Sequence, residues 1–544
     1  MTAGKFRGAD ALVAALARAG VKQLFTLSGN HIMSVFDAAP GAGIELIHTR
    51  HEASTVHMAD AYARLTGRPG IALVTGGPGH ANAVSALYTA QMAESPVVLL
   101  SGHAPLSELG MGAFQEMRQA ELAAPVCKAS WTSDGPDALA GDLARALRTA
   151  RSGRPGPVQM NLPTDALESE ARADPVNLAL FEPQPMRLDS QVASTMLERL
   201  RRAHRPLILT GPACMTRTGR DRSAALEEVS GIPVVGMESP RGVNDPGLGA
   251  FAQMLAQADC VLLLGKRLDF TLRFGKAPAL SADCAFLQID AETLEIDRTR
   301  RAIAERLEQV ALADAFSAVD SLTHAAGRGK RAEGDWCKSV REALHYRPPV
   351  WDHAASSQPG RLHPVQALRP LQAILDSHPA SVFISDGGEI GQWAQACLQA
   401  PNRVVNGVAG SIGSALPFAL GARVALPDAP VVAVLGDGTF GFHAAEIDTA
   451  VRYGLPFVAV VGNDARWNAE YQIQLRDYGA ERLVGCELLP TRYDQVTAAF
   501  GGHGELVTEA AQMTNAVERG RRSGLPACIN VMIEGLGAPN VRHA

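Results

Sequence analysis

The stretch "PVVAVLGDGTFGFHAAEIDTAVRYGLPFVAVVGND", residues 430–464, reads as an apolar strand, a glycine-rich turn, a helix and a second apolar strand. Gly436, Gly438 and Gly441 give G-x-G-x-x-G, the spacing with which dinucleotide-binding folds hold a pyrophosphate on a helix N-terminus. Asp464 falls where such folds keep a carboxylate for the ribose. The stretch therefore predicts a parallel α/β unit with a phosphate site at the glycine turn.

Asp437 decides between two kinds of phosphate ligand. A carboxylate inside the turn repels a pyrophosphate, unless a cation lies between them. Mg²⁺ takes oxygen ligands and bridges carboxylates to phosphate oxygens, and Asp464 ends the next strand, at the edge where open α/β sheets bind ligands. We favour a metal-bridged diphosphate over a nicotinamide dinucleotide. Two helix-capping aspartates are the plain structural alternative.

Composition and length limit the class of protein. The chain has 544 residues, 47% hydrophobic and 19% charged, with a net charge of -6, which predicts about three globular domains and no basic surface for nucleic acid. No run of eighteen apolar residues and no signal-peptide pattern occurs, so we expect a cytoplasmic protein without a membrane segment. The eight cysteines contain no C-x-x-C pair and are interpreted as buried thiols.

Three blocks along the chain alternate helix patterns with short apolar strands, which is typical of parallel sheets covered on both faces. We predict three tandem doubly wound α/β domains, at residues 1–170, 188–325 and 360–544, separated by stretches rich in proline, glycine and charge. The predicted strands are the apolar runs of each block. In the first block they are "QLFTLSG", "GIELIHT", "GIALVTG", "PVVLLSG" and "PVQMNLP", and in the second "RPLILTG", "IPVVGM", "CVLLLGK" and "CAFLQID". In the third they are "SVFISDGG", "RVVNG", "PACINVMI" and the two apolar strands of the opening stretch.

The first and third blocks are also similar to each other. The run "GIALVTGGPGHANAVSALYTAQMAESPVVLLSG" (residues 70–102) and the opening stretch share the order strand, glycine turn, helix, proline and strand. Chance can produce this in doubly wound proteins, but two equivalent units favour two half-sites for one ligand.

The glycine turn, followed after the next strand by the pair Asn463-Asp464, resembles the thiamine-diphosphate motif of acetolactate synthases, benzaldehyde lyase and 2-oxoacid decarboxylases. The resemblance implies that the side chains of Asp437 and Asp464 and the carbonyl of Arg466 bind Mg²⁺. Many members have Asn where Asp464 stands, so the second carboxylate is a departure from the family pattern.

A second match concerns Glu52 in "IELIHTRHEASTVHMADAYARLTGRPG", residues 44–70. Alone, Glu52 reads as a first-turn acid that complements the helix dipole. Its surroundings, H-E-A-x-x-x-x-M-A-x-x-Y-A-R-x-T-G-x-P-G, are similar to the segment that carries the activating glutamate of thiamine enzymes. An acid there favours the aminopyrimidine tautomer whose imino nitrogen takes a proton from the thiazolium C2. The resemblance therefore implies that Glu52 activates the cofactor, and desolvation would raise its pKa.

Three further segments resemble cofactor-binding parts of this family. "TGGPGHAN" (75–82) matches a loop on the pyrimidine, "GSIGSALPFALGA" (410–422) the segment that bends the cofactor, and "SDGGEIGQW" (385–393) a turn that contacts the diphosphate. By this resemblance, Ile412 would separate the two rings of the cofactor, and the carbonyl of Gly410 would accept a hydrogen bond from its amino group. The cofactor-binding residues implied are Gly79, Asn82, Gly388, Glu389, Ile390, Gly410, Ile412, Asp437, Gly438, Thr439 and Asp464.

His31 in "LSGNHIMSVFDA" and Gln115 in "GAFQEMRQAELAAPVCKAS" align with positions that face the reacting carbon in benzaldehyde lyase. A histidine near its usual pKa suits proton transfer on such an adduct. His31 can equally cap a helix or bond a backbone carbonyl, and that alternative stays open. In relatives, the substrate entrance is lined by the positions of Trp467, Ala469, Tyr471 and Ile473.

The pattern looks closest to benzaldehyde lyase and acetolactate-synthase-like enzymes, which implies a lyase or carboligase acting on a carbon–carbon bond next to a carbonyl. Its substrates would be an aldehyde, a 2-oxoacid or a 2-hydroxyacyl compound, in a homodimer or homotetramer with shared active sites. The alternatives are a 2-hydroxyacyl-CoA lyase or oxalyl-CoA decarboxylase, which "GAFQEMRQAELAAPVCKA" also resembles, although "GLGAPNVRHA" after the last strand is short for a segment that closes over CoA. An NAD-dependent Rossmann oxidoreductase and a catalytically silent homologue also stay open. FAD or ADP in the middle domain is undecided.

Overall fold

A computed structural model describes residues 6–173, 175–327, 329 and 334–542. The strands form three separate sheets, and within each sheet every pair of neighbouring strands is parallel. The chain divides into two compact units, one comprising the described residues up to Gln184 with Leu420–Ala425, the other Pro185–Ala419 with the described residues from Leu426 onward. The expectation of parallel doubly wound α/β sheets is confirmed.

The first unit holds a six-stranded sheet with the strand order β2-β1-β3-β4-β6-β5. Its strands are β1 (Gln23–Thr26), β2 (Glu45–His48), β3 (Gly70–Val74), β4 (Val97–His103), β5 (Ala129–Thr132) and β6 (Val158–Pro163). The helices are α1 (Gly8–Arg18), α2 (Met33–Ala38), α3 (Glu52–Thr66), α4 (Pro78–Met92), α5 (Gln119–Ala123), α6 (Leu139–Arg151) and α7 (Thr164–Glu168).

The second unit begins with a five-stranded sheet of order β11-β10-β9-β7-β8. Its strands are β7 (Pro206–Thr210), β8 (Val234–Gly236), β9 (Cys260–Leu264), β10 (Ala285–Asp290) and β11 (Leu307–Leu312). The helices are α8 (Ser190–Arg201), α9 (Arg217–Ser230), α10 (Phe251–Leu255), α11 (Thr293–Ile303), α12 (Ala315–Ala326) and α13 (Asp335–His345).

The third sheet, also in the second unit, has the order β13-β12-β14-β15-β17-β16. Its strands are β12 (Val382–Ser385), β13 (Asn402–Val405), β14 (Val431–Gly436), β15 (Val458–Asn463), β16 (His503–Val507) and β17 (Ala527–Met532). The helices are α14 (Pro364–Leu368), α15 (Gln372–Asp376), α16 (Gly388–Cys397), α17 (Ala415–Ala425), α18 (Asp437–Phe440), α19 (Glu446–Arg452), α20 (Asn468–Tyr478), α21 (Tyr493–Ala499) and α22 (Ala510–Arg522).

Central strands are buried along their whole length, as in β3, β4, β6, β9 and β15. Helices on both faces of a parallel sheet remove water from both sides of each strand, and this explains why these segments read as continuous rather than alternating apolar runs. The edge strand β11 instead alternates between half-buried and exposed residues. Hydrophobic burial in the central strands therefore fixes the three sheets.

The first and third sheets have the same strand order, so the similarity between their sequence blocks reflects a shared topology. In each, the second strand lies on one side of the first and the third strand on its other side, so the strand order reverses between β1 and β3 and between β12 and β14. Open α/β sheets bind ligands at the carboxyl ends of the strands beside such a reversal. Each sheet therefore offers a binding edge of its own.

The acid- and proline-rich stretch "ALESEARADPVNLALFEPQPMRL", residues 166–188, which reads as a linker after the first block, is partly structured. α7 covers its start, and a short 3-10 turn at Leu178–Phe181 places the Phe181 ring in the core of the first unit. Among the helices of the described residues, none is long and apolar enough to cross a membrane.

Candidate cofactor site

A pocket of about 200 Å³ opens in the second unit at the carboxyl edge of the third sheet. Four loops build it, and they follow β12, β13, β14 and β15. The strand-order reversal lies between β12 and β14. The lining of the pocket includes Gly388, Glu389, Ile390, Gly410, Ile412, Asp437, Gly438, Thr439, Asp464 and Arg466. The structure thus gathers all the residues that the sequence assigned to the diphosphate and metal half of the site.

Asp437 and Asp464 are both withdrawn from water, with 2% and 7% of their surface exposed. Asp437 accepts hydrogen bonds from the backbone N–H groups of Gly438 (2.9 Å) and Arg466 (3.2 Å). Burial raises the pKa of Asp437 to about 6. Burial, and next the charge of Asp437, raise the pKa of Asp464 to about 7. Two desolvated carboxylates that repel each other form a place where a cation is stabilised.

The carboxylates do not form a complete metal site by themselves. Among the described residues, no group of three or more His, Cys, Asp or Glu side chains is placed to hold a metal ion. A hard divalent ion needs about six oxygens, so backbone carbonyls, phosphate oxygens or water must supply the others. The Arg466 guanidinium is stacked 4.1 Å over the Tyr471 ring. Its positive charge partly opposes the rise in the pKa of Asp464 that burial and Asp437 cause.

Several residues that line this pocket are glycines, so the main chain itself forms part of the pocket wall. A Cβ on Gly438 would lie 2.5 Å from the Trp467 ring, and one on Gly462 would lie 2.6 Å from the Ile390 side chain. Gly388, the first residue of α16, has φ 78° and open space where a Cβ would point. Bare backbone N–H groups at the first turns of α16 and α18 suit the oxygens of a phosphate group.

Asp386, which the sequence analysis did not single out, links two of the pocket loops. Its fully buried carboxylate accepts from the backbone N–H groups of Gly387 (2.7 Å), Gly413 (3.0 Å) and Ala415 (3.1 Å). Burial raises its pKa to about 6, although these bonds favour the charged form. The available signal was an acidic residue directly after a fully apolar strand, in "FISDGG". Asp386 holds the 387–390 turn against the 410–415 segment.

The Glu389 side chain contacts protein groups that are not proposed to bind a phosphate. Its carboxylate lies 3.2 Å from the Arg241 guanidinium and accepts from the backbone N–H of Ala538 at 2.5 Å. The main chain of the turn is therefore the part that suits a phosphate, since this carboxylate is already bound to a cation.

In the first unit, Glu52 is the first residue of α3 and is partly exposed. Its Oε2 accepts a hydrogen bond from Nδ2 of Asn82 at 3.0 Å. A Cβ on Gly79 would lie 3.4 Å from Oε1 of Glu52, so the start of α4 passes close to this carboxylate. Three predicted residues therefore lie together at the carboxyl edge of the first sheet.

His31 lies nearby and is 3% exposed. Its Nδ1 is 3.1 Å from Oγ1 of Thr75 and its Nε2 is 3.3 Å from the carbonyl of Phe114, whose ring stacks on the imidazole. Burial lowers the pKa of His31, and the nearby His103 lowers it further, against a backbone bond that raises it. The sequence predicted a histidine near its usual pKa, whereas burial in the structure shifts the pKa of His31 downward, because desolvation disfavours the charged imidazolium.

Gln115 sits on a loop that passes directly over the start of α4. It has φ 57°, and a Cβ on Gly77 would lie 2.7 Å from the Gln115 side chain. Glu116 holds the loop by accepting from the N–H groups of Gly110, Gly112 and Ala113. Gln119, which sequence reasoning missed, accepts from the Gly77 N–H at 2.7 Å.

Other predicted residues are placed less centrally. Trp467 and Ala469 line the pocket, with Asn468 and Glu470 beside them, whereas Tyr471 and Ile473 are not part of its lining. The eight cysteines are free thiols, seven of them buried, in agreement with the absence of C-x-x-C pairs.

Comparison with known proteins agrees with this geometry. The models of the thiamine pyrophosphate enzyme domains match in chain order: the N-terminal TPP binding domain at residues 6–122, the central domain at 193–313 and the C-terminal TPP binding domain at 386–531. The chain belongs to the thiamine pyrophosphate enzyme family. It is therefore a thiamine-diphosphate-dependent enzyme, and the glycine turn lies within the part of the chain that matches the C-terminal TPP binding domain.

Curated relatives cover nearly the whole chain. The chain is 31% identical to a 2-hydroxyacyl-CoA lyase 2 of Homo sapiens, over 97% of this chain and 90% of the relative. It is 32% identical to a probable acetolactate synthase of Mycobacterium bovis (95% and 94%), and 30% identical to a 2-hydroxyacyl-CoA lyase of Oryza sativa subsp. japonica (96% and 94%). The relatives thus include both lyases and synthases.

Proposed function

We propose that the protein is a thiamine-diphosphate- and Mg²⁺-dependent lyase or carboligase that breaks or makes a carbon–carbon bond next to a carbonyl group. The observation that carries this proposal is the pair of desolvated carboxylates, Asp437 and Asp464, in a glycine-lined pocket. Such a pair suits a diphosphate only when a dication joins them.

The pocket residues fit the diphosphate half of the cofactor. The first turns of α16 and α18 would bind the phosphate oxygens, and Asp437, Asp464 and the Arg466 carbonyl would hold Mg²⁺. Ile412 and the Gly410 carbonyl would hold the rings in their bent form. When bound, thiamine diphosphate supplies a nucleophilic carbon that attacks carbonyl groups and accepts the electrons of the broken bond.

The first unit supplies the groups that move protons. Glu52 would protonate the pyrimidine nitrogen, and its bond to Asn82 orients the carboxyl group. The Nε2 of His31 faces the Phe114 carbonyl, which only accepts, so Nδ1, beside the Thr75 hydroxyl, is the nitrogen that would take a proton from a substrate hydroxyl. Gln115 can donate a hydrogen bond to a carbonyl oxygen. Glu52, His31 and Gln115 are therefore the proposed catalytic residues.

The substrate class is tested by product analysis. Protein reconstituted with thiamine diphosphate and Mg²⁺ is incubated separately with pyruvate, benzaldehyde, benzoin and a 2-hydroxyacyl-CoA. We expect an aldehyde to be released from, or joined to, at least one non-pyruvate substrate. Turnover of pyruvate alone would contradict the lyase assignment. Cleavage of only the acyl-CoA would favour the second candidate, a 2-hydroxyacyl-CoA lyase, which the names of the Homo sapiens and Oryza sativa relatives support.

A homodimer or homotetramer is proposed for the active form, as the family resemblance implies. Light scattering of the cofactor-loaded protein measures the molar mass directly, against 57.4 kDa for one chain. A monomer with full activity would contradict this part of the proposal.

Changing Gly438 to Ala is expected to weaken thiamine diphosphate binding by about tenfold or more. The new methyl group would lie 2.5 Å from the Trp467 ring, so the ring or the turn that carries Asp437 must shift. Gly441→Ala is the matched control, since its Cβ would meet backbone only at an ordinary 3.4 Å. Titration of both variants with the cofactor at saturating Mg²⁺ measures the effect. Equal affinities would show that the turn tolerates a side chain.

A further inference from the structure

A larger cavity, of about 490 Å³, lies elsewhere in the second unit. It is formed by the first turn of α9, the last turn of α16 and the beginning of β13. Four arginines line it, namely Arg217, Arg220, Arg347 and Arg403. This concentration of positive charge has no role in the cofactor chemistry described above.

Two of these arginines have identified partners in the protein. Arg347 donates to the carbonyls of Ala396, Leu344, Tyr346 and Gly247, so most of its N–H groups are used. Arg403 forms an ion pair with Glu238, whose carboxylate lies 2.7 Å from its Nε. The Glu238 carboxylate therefore offsets part of the positive charge of Arg403.

Arg217 and Arg220 have far fewer bonds. Among the described residues, Arg217 donates to the Pro379 carbonyl at 3.2 Å and Arg220 to the Pro401 carbonyl. A guanidinium has five N–H groups, so each keeps most of them for another partner. Arg217 is exposed, whereas Arg220 is half-buried, and burial lowers the pKa of Arg220. An anion beside a partly desolvated cation offsets part of its desolvation cost.

The position of Arg217 and Arg220 on their helix adds to the excess of positive charge in the cavity. They belong to the first turn of the fourteen-residue helix α9, which has no acidic residue there. The dipole of a helix disfavours positive charge at its N-terminus and favours an anion. Asp221 is the acidic residue among the described lining residues. Two further carboxyl groups lie nearby: Glu238 pairs with Arg403, and burial raises the pKa of Asp245.

Gln395 adds a polar side chain to the lining. It is only 2% exposed, and among the described residues its Oε1 has no hydrogen-bond partner. An amide oxygen only accepts, so a hydroxyl or N–H group of a ligand would satisfy it and a phosphate oxygen would not. The arginines, rather than Gln395, therefore indicate an anion.

We infer that this cavity binds a small phosphate-bearing molecule, with Arg217 and Arg220 as its principal donors. The planar fork of arginine matches phosphate oxygens two at a time, and the volume is within the range of small-molecule sites. The site is separate from the diphosphate pocket: α16 borders the pocket with Gly388 and the cavity with Gln395, about 10 Å apart along the helix axis at 1.5 Å per residue.

Calorimetric titration of the enzyme loaded with thiamine diphosphate and Mg²⁺ tests the inference, because the cofactor then fills the diphosphate pocket. The probes are inorganic phosphate and glucose 6-phosphate, with glucose as the uncharged match and succinate as the carboxylate match. Arg220→Gln and Arg217→Gln remove the proposed donors. Arg222→Gln is the control, since it removes the same charge from the same helix at a residue that pairs with Asp320 instead.

We expect both phosphate probes to bind at one site per chain, glucose not to bind, and succinate to bind at least tenfold more weakly. Arg220→Gln should weaken phosphate binding by at least tenfold, Arg217→Gln by a smaller factor, and Arg222→Gln should leave it unchanged. Absence of phosphate binding, or unchanged binding in both cavity variants, would overturn the inference. Equal binding of succinate would replace phosphate with carboxylate as the ligand.

Discussion

Replacing Glu52 by Gln is expected to lower kcat by about 100-fold or more, the largest effect we predict for a change that leaves the shape of the side chain intact. The amide cannot donate the carboxyl proton that the proposed activation of the pyrimidine requires, and general acid–base groups contribute about 10²–10⁴-fold. The oxygen that accepts from Asn82 is retained in glutamine, so the fold should not change. Steady-state turnover of the cofactor-loaded variant measures the effect.

Glu45→Gln provides the matched comparison for this experiment. Glu45 is an exposed glutamate of β2 in the same unit, and its replacement should leave kcat unchanged. Thiamine diphosphate affinity should also be nearly unchanged in Glu52→Gln, because the diphosphate half of the site is intact. Full activity of Glu52→Gln would refute the role of Glu52, and would support a protein in which this acid only complements the helix dipole.

Replacing Asp437 by Asn is expected to weaken Mg²⁺-dependent cofactor binding by about 100-fold, since losing even groups that support metal ligands costs 10–100-fold. Asp464→Asn is the informative comparison, because it restores the residue that many members of the family have at this position. Asp464→Asn should weaken Mg²⁺-dependent cofactor binding much less than Asp437→Asn does. Cofactor titrations at several Mg²⁺ concentrations separate the two variants.

Thermal unfolding without cofactor distinguishes metal binding from misfolding in these variants. Either substitution removes one of two buried charges that repel each other, so neither should lower the unfolding temperature of the cofactor-free protein. If Asp464→Asn lost as much affinity as Asp437→Asn, the two carboxylates would be equivalent, and the resemblance would be a poor guide to the metal ligands.

The diphosphate half of the site could be predicted because parallel sheets order their loops by strand. Asp437 directly follows β14 and Asp464 directly follows the neighbouring strand β15. A strand assignment alone therefore brings them to the same edge of the sheet. Apolar runs identified those strands because both faces are covered. The first-unit residues followed from a resemblance, and the structure places Glu52, Gly79 and Asn82 within contact of one another.

Other features left weaker signals in the sequence. The edge strands β5, β11 and β16 were not predicted, since half-exposed strands do not need an apolar run. The role of Asp386 depends on three backbone N–H groups from two loops, and the lowered pKa of His31 depends on burial by distant segments. The arginine cavity combines residues from 217 to 403, which no local pattern connects.

The most direct test of the account is cofactor uptake with and without a dication. The protein is dialysed against a strong chelator, and thiamine diphosphate binding is then measured by calorimetry in the absence and in the presence of Mg²⁺. We predict tight binding only with Mg²⁺, because Asp437 and Asp464 otherwise repel the diphosphate. Equal binding in the two conditions would contradict the metal-bridged site on which the proposed function rests.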